Sequence, residues 1–266
     1  PVVLHRYFIE LAYNGSGFHG WQIQPGVQTV QETLNHALAC LTGEQVNVIG
    51  CGRTDTGVHA SHFVAHFDLA AEWEDPSGLG IKLGRFLRNS IRIDRIAKVQ
   101  PGTHARFSAT SRTYHYLIAK RRHPFLGPYC WEHHPGLNLD PMNRMAGLIT
   151  GRHDFTSFSK LHTDTRTNLC EVFEAEWRDA GDFLVLRIRA DRFLRNMVRA
   201  LVGTMVEAGK GHLDSLEINR ILAAKNRSEA GMSVPAQGLF LTRVDYPEEL
   251  FAVDPKQPFP ALIREP

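Results

Sequence analysis

Apolar residues recur at every second position in several segments of this chain, and this alternation constrains its fold more than any other feature. From Tyr7 to Tyr13 the alternate positions carry large apolar side chains, the pattern of a strand with one buried face. Comparable patterns predict strands at seven further places, namely 46–51, 62–67, 92–99, 112–120, 170–177, 183–189 and 239–246. Hairpins are therefore expected in both halves of the chain.

Helical patterns separate these strands. Thr29 and Glu32 have the spacing of a capping box, and the apolar residues behind them recur at helical spacing until Gly43. Further helices are predicted at 79–88, 140–151, 192–208 and 214–225. The mixture predicts an α+β fold with mostly antiparallel mixed sheets, in which two similar lobes flank a central basic cleft. We expect these lobes at 1–110 and 111–246, followed by an extended tail at 247–266.

The composition is that of an ordinary soluble globular protein. Hydrophobic residues make up 43% of the chain and charged residues 22%. The four cysteines are scattered without a C-x-x-C pair, which argues against a zinc knuckle or a disulfide framework and is typical of a reducing cytoplasm. No apolar run approaches the roughly 20 residues of a membrane span, and the N-terminus lacks a signal-peptide pattern. We therefore expect a cytoplasmic protein without a membrane partner.

The segment GRTDTGVHA, residues 52–60, is the motif most open to a chemical interpretation. Asp55 alone is more often a turn former than a catalyst. An aspartic protease needs two carboxyl groups that share one proton, whereas this Asp-Thr-Gly tripeptide occurs once. Arg53, two residues before the aspartate, also favours a fully ionised carboxylate. A protease is therefore disfavoured.

A metal site would draw on Asp55, His59, His62 and His66. The segment 62–67 reads as a strand, where the rise per residue separates His62 and His66 by about 13 Å, too far for one ion. We therefore predict no metal site. The remaining interpretation is an ionised carboxylate that acts alone and is held charged by a cation brought from elsewhere in the chain.

The formal net charge is only +2, so any basic surface must come from clustering. Five arginines are predicted on one strand–helix unit: Arg187, Arg189, Arg192, Arg195 and Arg199. The only acid in that stretch is Asp191, so a phosphate-binding face is favoured over one neutralised by carboxylates. Further positive charge is expected on the helix at 79–88, from Lys82, Arg85 and Arg88.

Aromatic residues are interleaved with this charge. Phe107 and the strand residues Tyr114 and Tyr116 stand near Arg112, and a nucleotide base could stack on either tyrosine unless that ring lies in the core. Structured RNA is the ligand class that these features favour.

Six blocks of the sequence resemble those of the TruA-type tRNA pseudouridine synthases. They occur in the family's order at 13–22, 52–60, 104–110, 151–158, 193–199 and 238–241. The resemblance implies the pseudouridine synthase fold, a cofactor-free isomerase that converts uridine to pseudouridine at positions 38–40 of the tRNA anticodon stem-loop, and a homodimer that binds tRNA across both subunits.

The resemblance also implies roles for particular residues. Asp55 corresponds to the catalytic aspartate, Arg53 to the arginine that helps displace the target nucleotide, Tyr114 to the tyrosine beside the target base, and Arg195 to the ion-pair partner of the aspartate. Two readings remain as alternatives: a non-catalytic RNA-binding protein on the same fold, and a metal-dependent hydrolase that chelators would inactivate.

Overall fold

The computed structural model describes residues 4–133, 136–160 and 167–250. Its strands are β1 His5–Tyr13, β2 Ile49–Gly50, β3 His59–Leu69, β4 Ile91–Lys98, β5 Ser111–Ala119, β6 Trp131–Glu132, β7 Gly151–Asp154, β8 Leu169–Ala180, β9 Phe183–Ala190 and β10 Leu239–Asp245. Its α-helices are α1 Val30–Thr42, α2 Pro76–Leu87, α3 Leu139–Leu148, α4 Met197–Gly209 and α5 Glu217–Ala224.

The ten strands of the described residues belong to a single mixed sheet. Its order is β4-β1-β3-β10-β5-β9-β8-β7, with β2 added to β3 and β6 added to β5. Pairing is antiparallel except between β10 and β3 and between β6 and β5. The predicted α+β fold with mostly antiparallel mixed pairing is confirmed, although one continuous sheet runs through both halves. The last strand, β10, joins the halves because it pairs with β3 on one side and β5 on the other.

Two hydrophobic clusters lie over the two halves of this sheet. One packs α1 and α2, through residues such as Leu34 and Leu79, against β1 and β3. The other packs α3, α4 and α5 against β5, β8 and β9. Each cluster also takes a segment from the other half of the chain, since Leu241 of β10 lies in the first and Val58 in the second. The boundary of the lobes at 110 and 111 stays a prediction.

The first helix forms as its capping residues predict. The Thr29 hydroxyl accepts a hydrogen bond from the Glu32 backbone N–H at 3.3 Å, and Gly43 ends the helix in the left-handed conformation with φ of 74°. The helix α3 begins slightly earlier than predicted, since Asn138 rather than Asp140 is the N-cap and accepts a hydrogen bond from the Asp140 backbone N–H at 3.0 Å.

The helix predicted from Arg192 begins only at Met197. Asn196 has a φ of 69°, a left-handed conformation that a right-handed helix cannot include, and its side-chain amide donates to the Ser233 hydroxyl at 2.6 Å. Arg192 and Arg195 therefore lie on the loop before α4, and only Arg199 lies on the helix. The predicted arginine row on one helix is wrong for this reason.

The end of the chain is described only in part. Glu248–Leu250 form a short 3-10 turn where an extended tail was expected, and 251–266 lie outside the described residues. Across the described ranges, no helix combines the length and the apolar character that a membrane span requires.

Candidate active site

Asp55 lies on the loop between β2 and β3, and the residues around it hold that loop in place. The Thr54 hydroxyl shares a buried hydrogen bond with the Tyr13 hydroxyl at 2.8 Å. The Thr54 carbonyl accepts from the Trp21 backbone N–H at 3.1 Å, and the Asp55 carbonyl accepts from that of Val58 at 3.1 Å. Asp55 is thus a turn residue, as its neighbours suggested, but the turn is fixed by contacts from two other segments.

Two glycines of the loop between β1 and α1 pack directly against this turn. Gly20 has a φ of 83°, and a Cβ atom there would lie 2.6 Å from the Thr54 carbonyl oxygen. A Cβ atom at Gly15 would lie 2.0 Å from the Val58 carbonyl oxygen. No side chain fits at either position, so the backbone of one loop sets the position of the other.

Two arginines hold the Asp55 carboxylate. Arg199 Nη1 lies 3.4 Å from Asp55 Oδ2, and Arg195 Nε lies 3.7 Å from Oδ1. The side chain of Asp55 is 26% exposed, that of Arg199 21% and that of Arg195 57%. Arg199 is held further by its Nε atom, which donates to the Val234 carbonyl at 2.7 Å. The carboxylate is therefore aimed by a fixed, half-buried guanidinium and a second, more exposed one.

Arg195 thus lies within ion-pair distance of Asp55, but Arg199 is closer and better anchored. The sequence placed Arg199 only among residues expected to bind RNA. The sequence nonetheless indicated that Arg199 needs a partner inside the protein. Arg199 and Glu207 are the only charged residues in α4, and the neighbours of Arg199 in that helix are buried. A charge within an apolar helix needs a partner, and Asp55 is that partner.

Tyr114 lies on β5 beside the same site. Its ring meets the Phe193 ring edge-on, with 5.1 Å between centroids and 87° between planes. Burial, to which the nearby Cys51 and the Asp55 charge add, raises the pKa of Tyr114 above its ordinary value, so the phenol keeps its proton at neutral pH. Tyr116 is a core residue by contrast, fully buried, with its hydroxyl donating to the Pro235 carbonyl at 2.8 Å. Of the two tyrosines, Tyr114 is the one beside the site.

Arg187 and Arg189 were expected to lack carboxylate partners, but the structure gives them one. Both form ion pairs with Glu174 of the neighbouring strand β8, and Arg189 Nε lies 2.9 Å from a Glu174 oxygen. They stand opposite His115 and Thr113 of β5, on the face of the sheet opposite to Tyr114. The expectation of one arginine face was wrong because Glu174 is distant in sequence and meets the arginines only through the hairpin. Their binding to RNA stays a prediction.

The other predicted basic residues fall into two groups. Arg53 lies on the Asp55 loop and Arg192 on the loop before α4, and no carboxylate of the described residues lies within ion-pair distance of either side chain. Lys82 and Arg85 are exposed on α2, with Arg88 directly after it, and α2 packs over the outermost strand β4. RNA binding by this second group also stays a prediction.

The three histidines that follow Asp55 have structural partners. The Nδ1 atoms of His59, His62 and His66 accept hydrogen bonds from the backbone N–H groups of Gly15, Val244 and Ala105 at 3.0, 3.1 and 3.1 Å. These ring nitrogens therefore fix loops against β3. Within the described part of the chain, no group of three or more His, Cys, Asp or Glu side chains has the spacing of a metal site.

Comparison with known proteins adds independent information. A family model described as tRNA pseudouridine synthase matches residues 145–247. A protein named tRNA pseudouridine synthase A from Parabacteroides distasonis is 48% identical over 255 residues, which cover 94% of this chain and 100% of that protein. Proteins of the same name are 47% identical in Bacteroides fragilis, over 93% of this chain and 99% of theirs, and 38% identical in Bacillus pumilus, over 89% and 97%.

Proposed function

Because the chain belongs to the tRNA pseudouridine synthase family, isomerases that convert uridine in tRNA to pseudouridine, we propose that Asp55 is the carboxylate that performs this reaction here. One observation carries the proposal. A single carboxylate lies on a turn fixed by two neighbouring segments, within ion-pair distance of Arg199 and Arg195 and beside Tyr114.

The reaction exchanges one bond for another without an oxidant. The N1–C1′ bond of uridine breaks, the ring turns, and a C5–C1′ bond forms while C5 loses a proton and N1 gains one. An ionised carboxylate can add to the sugar or to the ring, or remove a proton from the sugar. Each of these roles needs a carboxylate held in one orientation, and the ion pairs with Arg199 and Arg195 supply that hold.

Tyr114 supplies the wall against which the freed base turns. Its phenol is uncharged at neutral pH, so the ring stacks on the base and the hydroxyl can donate a hydrogen bond. Phe193 holds the ring edge-on and limits its rotation. Tyr114 therefore acts by positioning the base and guiding the proton that leaves C5.

Access to the target requires that the uridine leave its stack. Extruding a base costs on the order of a few kcal/mol, and less in a strained loop. Arg53 is exposed and two residues from Asp55, and its guanidinium can occupy the vacated space and bind the neighbouring phosphate. Arg192 adds a further cation on the loop before α4.

The substrate site within the tRNA, the assembly and the compartment belong to the same proposal. The target is a uridine at positions 38–40 of the anticodon stem-loop, bound by a homodimer in the cytoplasm. The support for all three is the resemblance of the chain's six motif blocks to the TruA-type enzymes. The names of its relatives support tRNA as the substrate and nothing finer.

The test uses tRNA transcripts labelled with tritium at uridine C5. The native protein, without added metal, is expected to release tritium from a transcript with uridines at positions 38–40. Release is expected to disappear when those uridines are replaced by cytidine. Tight binding without release from any transcript would identify a non-catalytic RNA-binding protein, and release that a chelator abolishes would favour a metal-dependent reaction.

A further inference from the structure

Three loops around Asp55 meet at one guanidinium, that of Arg112 on β5. Its Nη2 atom donates to the Cys51 carbonyl at 3.0 Å and to the Arg106 carbonyl at 2.6 Å. Its Nη1 atom donates to the Asp191 carbonyl at 2.7 Å and to the Ala109 carbonyl at 3.2 Å. One planar group therefore holds together the segment before Asp55, the 104–110 loop and the loop before α4.

Each of these loops carries an arginine whose side chain is free of carboxylate partners in the described ranges. These are Arg53, Arg106 and Arg192. Partial burial is the largest cause that lowers the pKa of Arg106, and the positive charges of Arg53, Arg192 and Arg112 lower it further. Cations gathered in this way repel one another, and a bound anion would relieve that repulsion.

Phe107 stands beside this cluster and is 75% exposed. The His104 ring supports it, with 4.4 Å between ring centroids, and the Arg106 guanidinium lies 5.5 Å from its centroid. The neighbouring Ala105 backbone N–H is fixed by His66 at 3.1 Å. An aromatic ring exposed to this extent, contacted by His104 and lying beside arginines without carboxylate partners in the described ranges, matches the stacking platforms of proteins that bind single-stranded nucleic acid.

We propose that Arg106 and Phe107, together with Arg53 and Arg192, form a subsite for the unpaired RNA strand that flanks the target uridine. The guanidinium groups bind a phosphodiester of that strand, and the Phe107 ring stacks on a splayed base. The ligand is single-stranded because duplex bases are already stacked and cannot reach an exposed ring. This inference rests on the proposed function, since it places the flanking strand beside Asp55.

The test measures binding of a fluorescently labelled tRNA transcript by anisotropy at several salt concentrations. Tritium release is measured alongside. Replacing Arg106 by Gln should reduce the magnitude of the negative slope of log association constant against log salt concentration by about 0.7, the contribution of one phosphate contact on a single strand. The matched control is Arg152→Gln, which removes the same charge from an exposed position on the outermost strand β7 and should leave the slope unchanged.

Phe107 is tested by keeping or removing its ring. Phe107→Leu should weaken binding by about fivefold to a hundredfold with an unchanged salt slope, because stacking on a base is lost. Phe107→Tyr keeps an aromatic ring and should bind the transcript as tightly as the native protein does. Equal binding by the Leu and Tyr variants would show a general apolar contact and would overturn the stacking assignment. Weaker dimerisation with unchanged RNA binding would instead place Phe107 at a protein interface, and would overturn it as well.

The two proposals can fail separately. A native protein that releases no tritium refutes the proposed function, while the salt slopes still decide whether Arg106 contacts phosphate. A native protein that releases tritium but shows equal slopes for the native and Arg106→Gln forms refutes the subsite alone. Circular dichroism melting of each variant confirms that the fold is retained, as expected for exposed side chains.

Discussion

Arg199 Nη1 lies 3.4 Å from Asp55 Oδ2, although the two residues are 144 positions apart in the chain. The contact joins the turn after β2 to the first turn of α4. Tyr13 and Trp21, which hold that turn, belong to the first hydrophobic cluster, and α4 belongs to the second. The same guanidinium is fixed by the Val234 carbonyl. The orientation of Asp55 therefore depends on the packing of both halves of the sheet.

Replacing the two arginines that contact Asp55, one at a time, should slow tritium release to different extents. Arg199→Gln removes an anchored, half-buried charge, and a hydrogen bond to a charged group is worth about 1.5–3 kcal/mol, so single-turnover tritium release should slow by about tenfold to a hundredfold. Arg195→Gln removes a more exposed contact worth about 0–1 kcal/mol, so release should slow by less than about fivefold. A larger loss from the Arg195 variant would contradict the account of the site.

The close packing of the glycine loop against the Asp55 turn gives a second prediction. Gly20→Ala places a Cβ atom 2.6 Å from the Thr54 carbonyl oxygen, so the turn must shift and the rate of tritium release should fall by about tenfold or more. Gly26→Ala is the matched control, since Gly26 has a φ of 75° but nothing within 4 Å of the added atom.

The control should lose only about 1–2 kcal/mol of stability through left-handed strain, and its activity should remain native. Chemical denaturation and single-turnover rates separate the two effects. If both variants were equally active, the contact between Gly20 and the Asp55 turn would not matter for catalysis.

The lowered pKa of His66 predicts that the stability of the fold depends on pH. Burial, followed by the charges of Arg6 and His104, lowers the pKa of His66 from 6.5 to about 4, and the smaller effect of Asp68 opposes them. As the pH falls below 6.5, the unfolded chain binds a proton that the folded protein excludes, so the free energy of unfolding should fall between pH 6.5 and about pH 4. Protonation at Nδ1 would also break the hydrogen bond from Ala105 that holds the 104–110 loop.

The check is urea denaturation from pH 7.5 to pH 5, where most carboxylates stay ionised. His66→Asn keeps a hydrogen-bond acceptor near the Nδ1 position and has no titrating group, so its stability should change less with pH than that of the native protein. Parallel pH profiles for the two proteins would assign the acid sensitivity to other groups.

Local patterns predicted most of the secondary structure. The period-two strands and the Thr29 capping box depend on neighbours in sequence, and they form close to the predicted bounds. The start of α4 was missed because the left-handed Asn196 is stabilised by Ser233, 37 positions away. The place of β10 between β3 and β5 could not be predicted either, since pairing between distant strands leaves no local signal.

The candidate active site was likewise predictable where local sequence determines it and not where distant residues meet. Asp55 and its loop are marked by local sequence, and the resemblance to a family supplied candidate roles for Arg53, Tyr114 and Arg195. The closer partner Arg199 was predicted only as an RNA-binding residue and not as a partner of Asp55, because the predicted helix began five residues too early and made three arginines equivalent. The Glu174 pairs of Arg187 and Arg189 depend on strand register, which charge counting along the sequence does not contain.

The central claim is that Asp55 performs the isomerisation as a single ionised carboxylate. Asp55→Asn keeps the size of the side chain and removes its charge, so tritium release from C5-labelled tRNA under single-turnover conditions tests the claim most directly. We predict release at the level of the protein-free control, with tRNA binding close to native and a normal melting transition. Release at a rate near that of the native protein would contradict the assignment of Asp55.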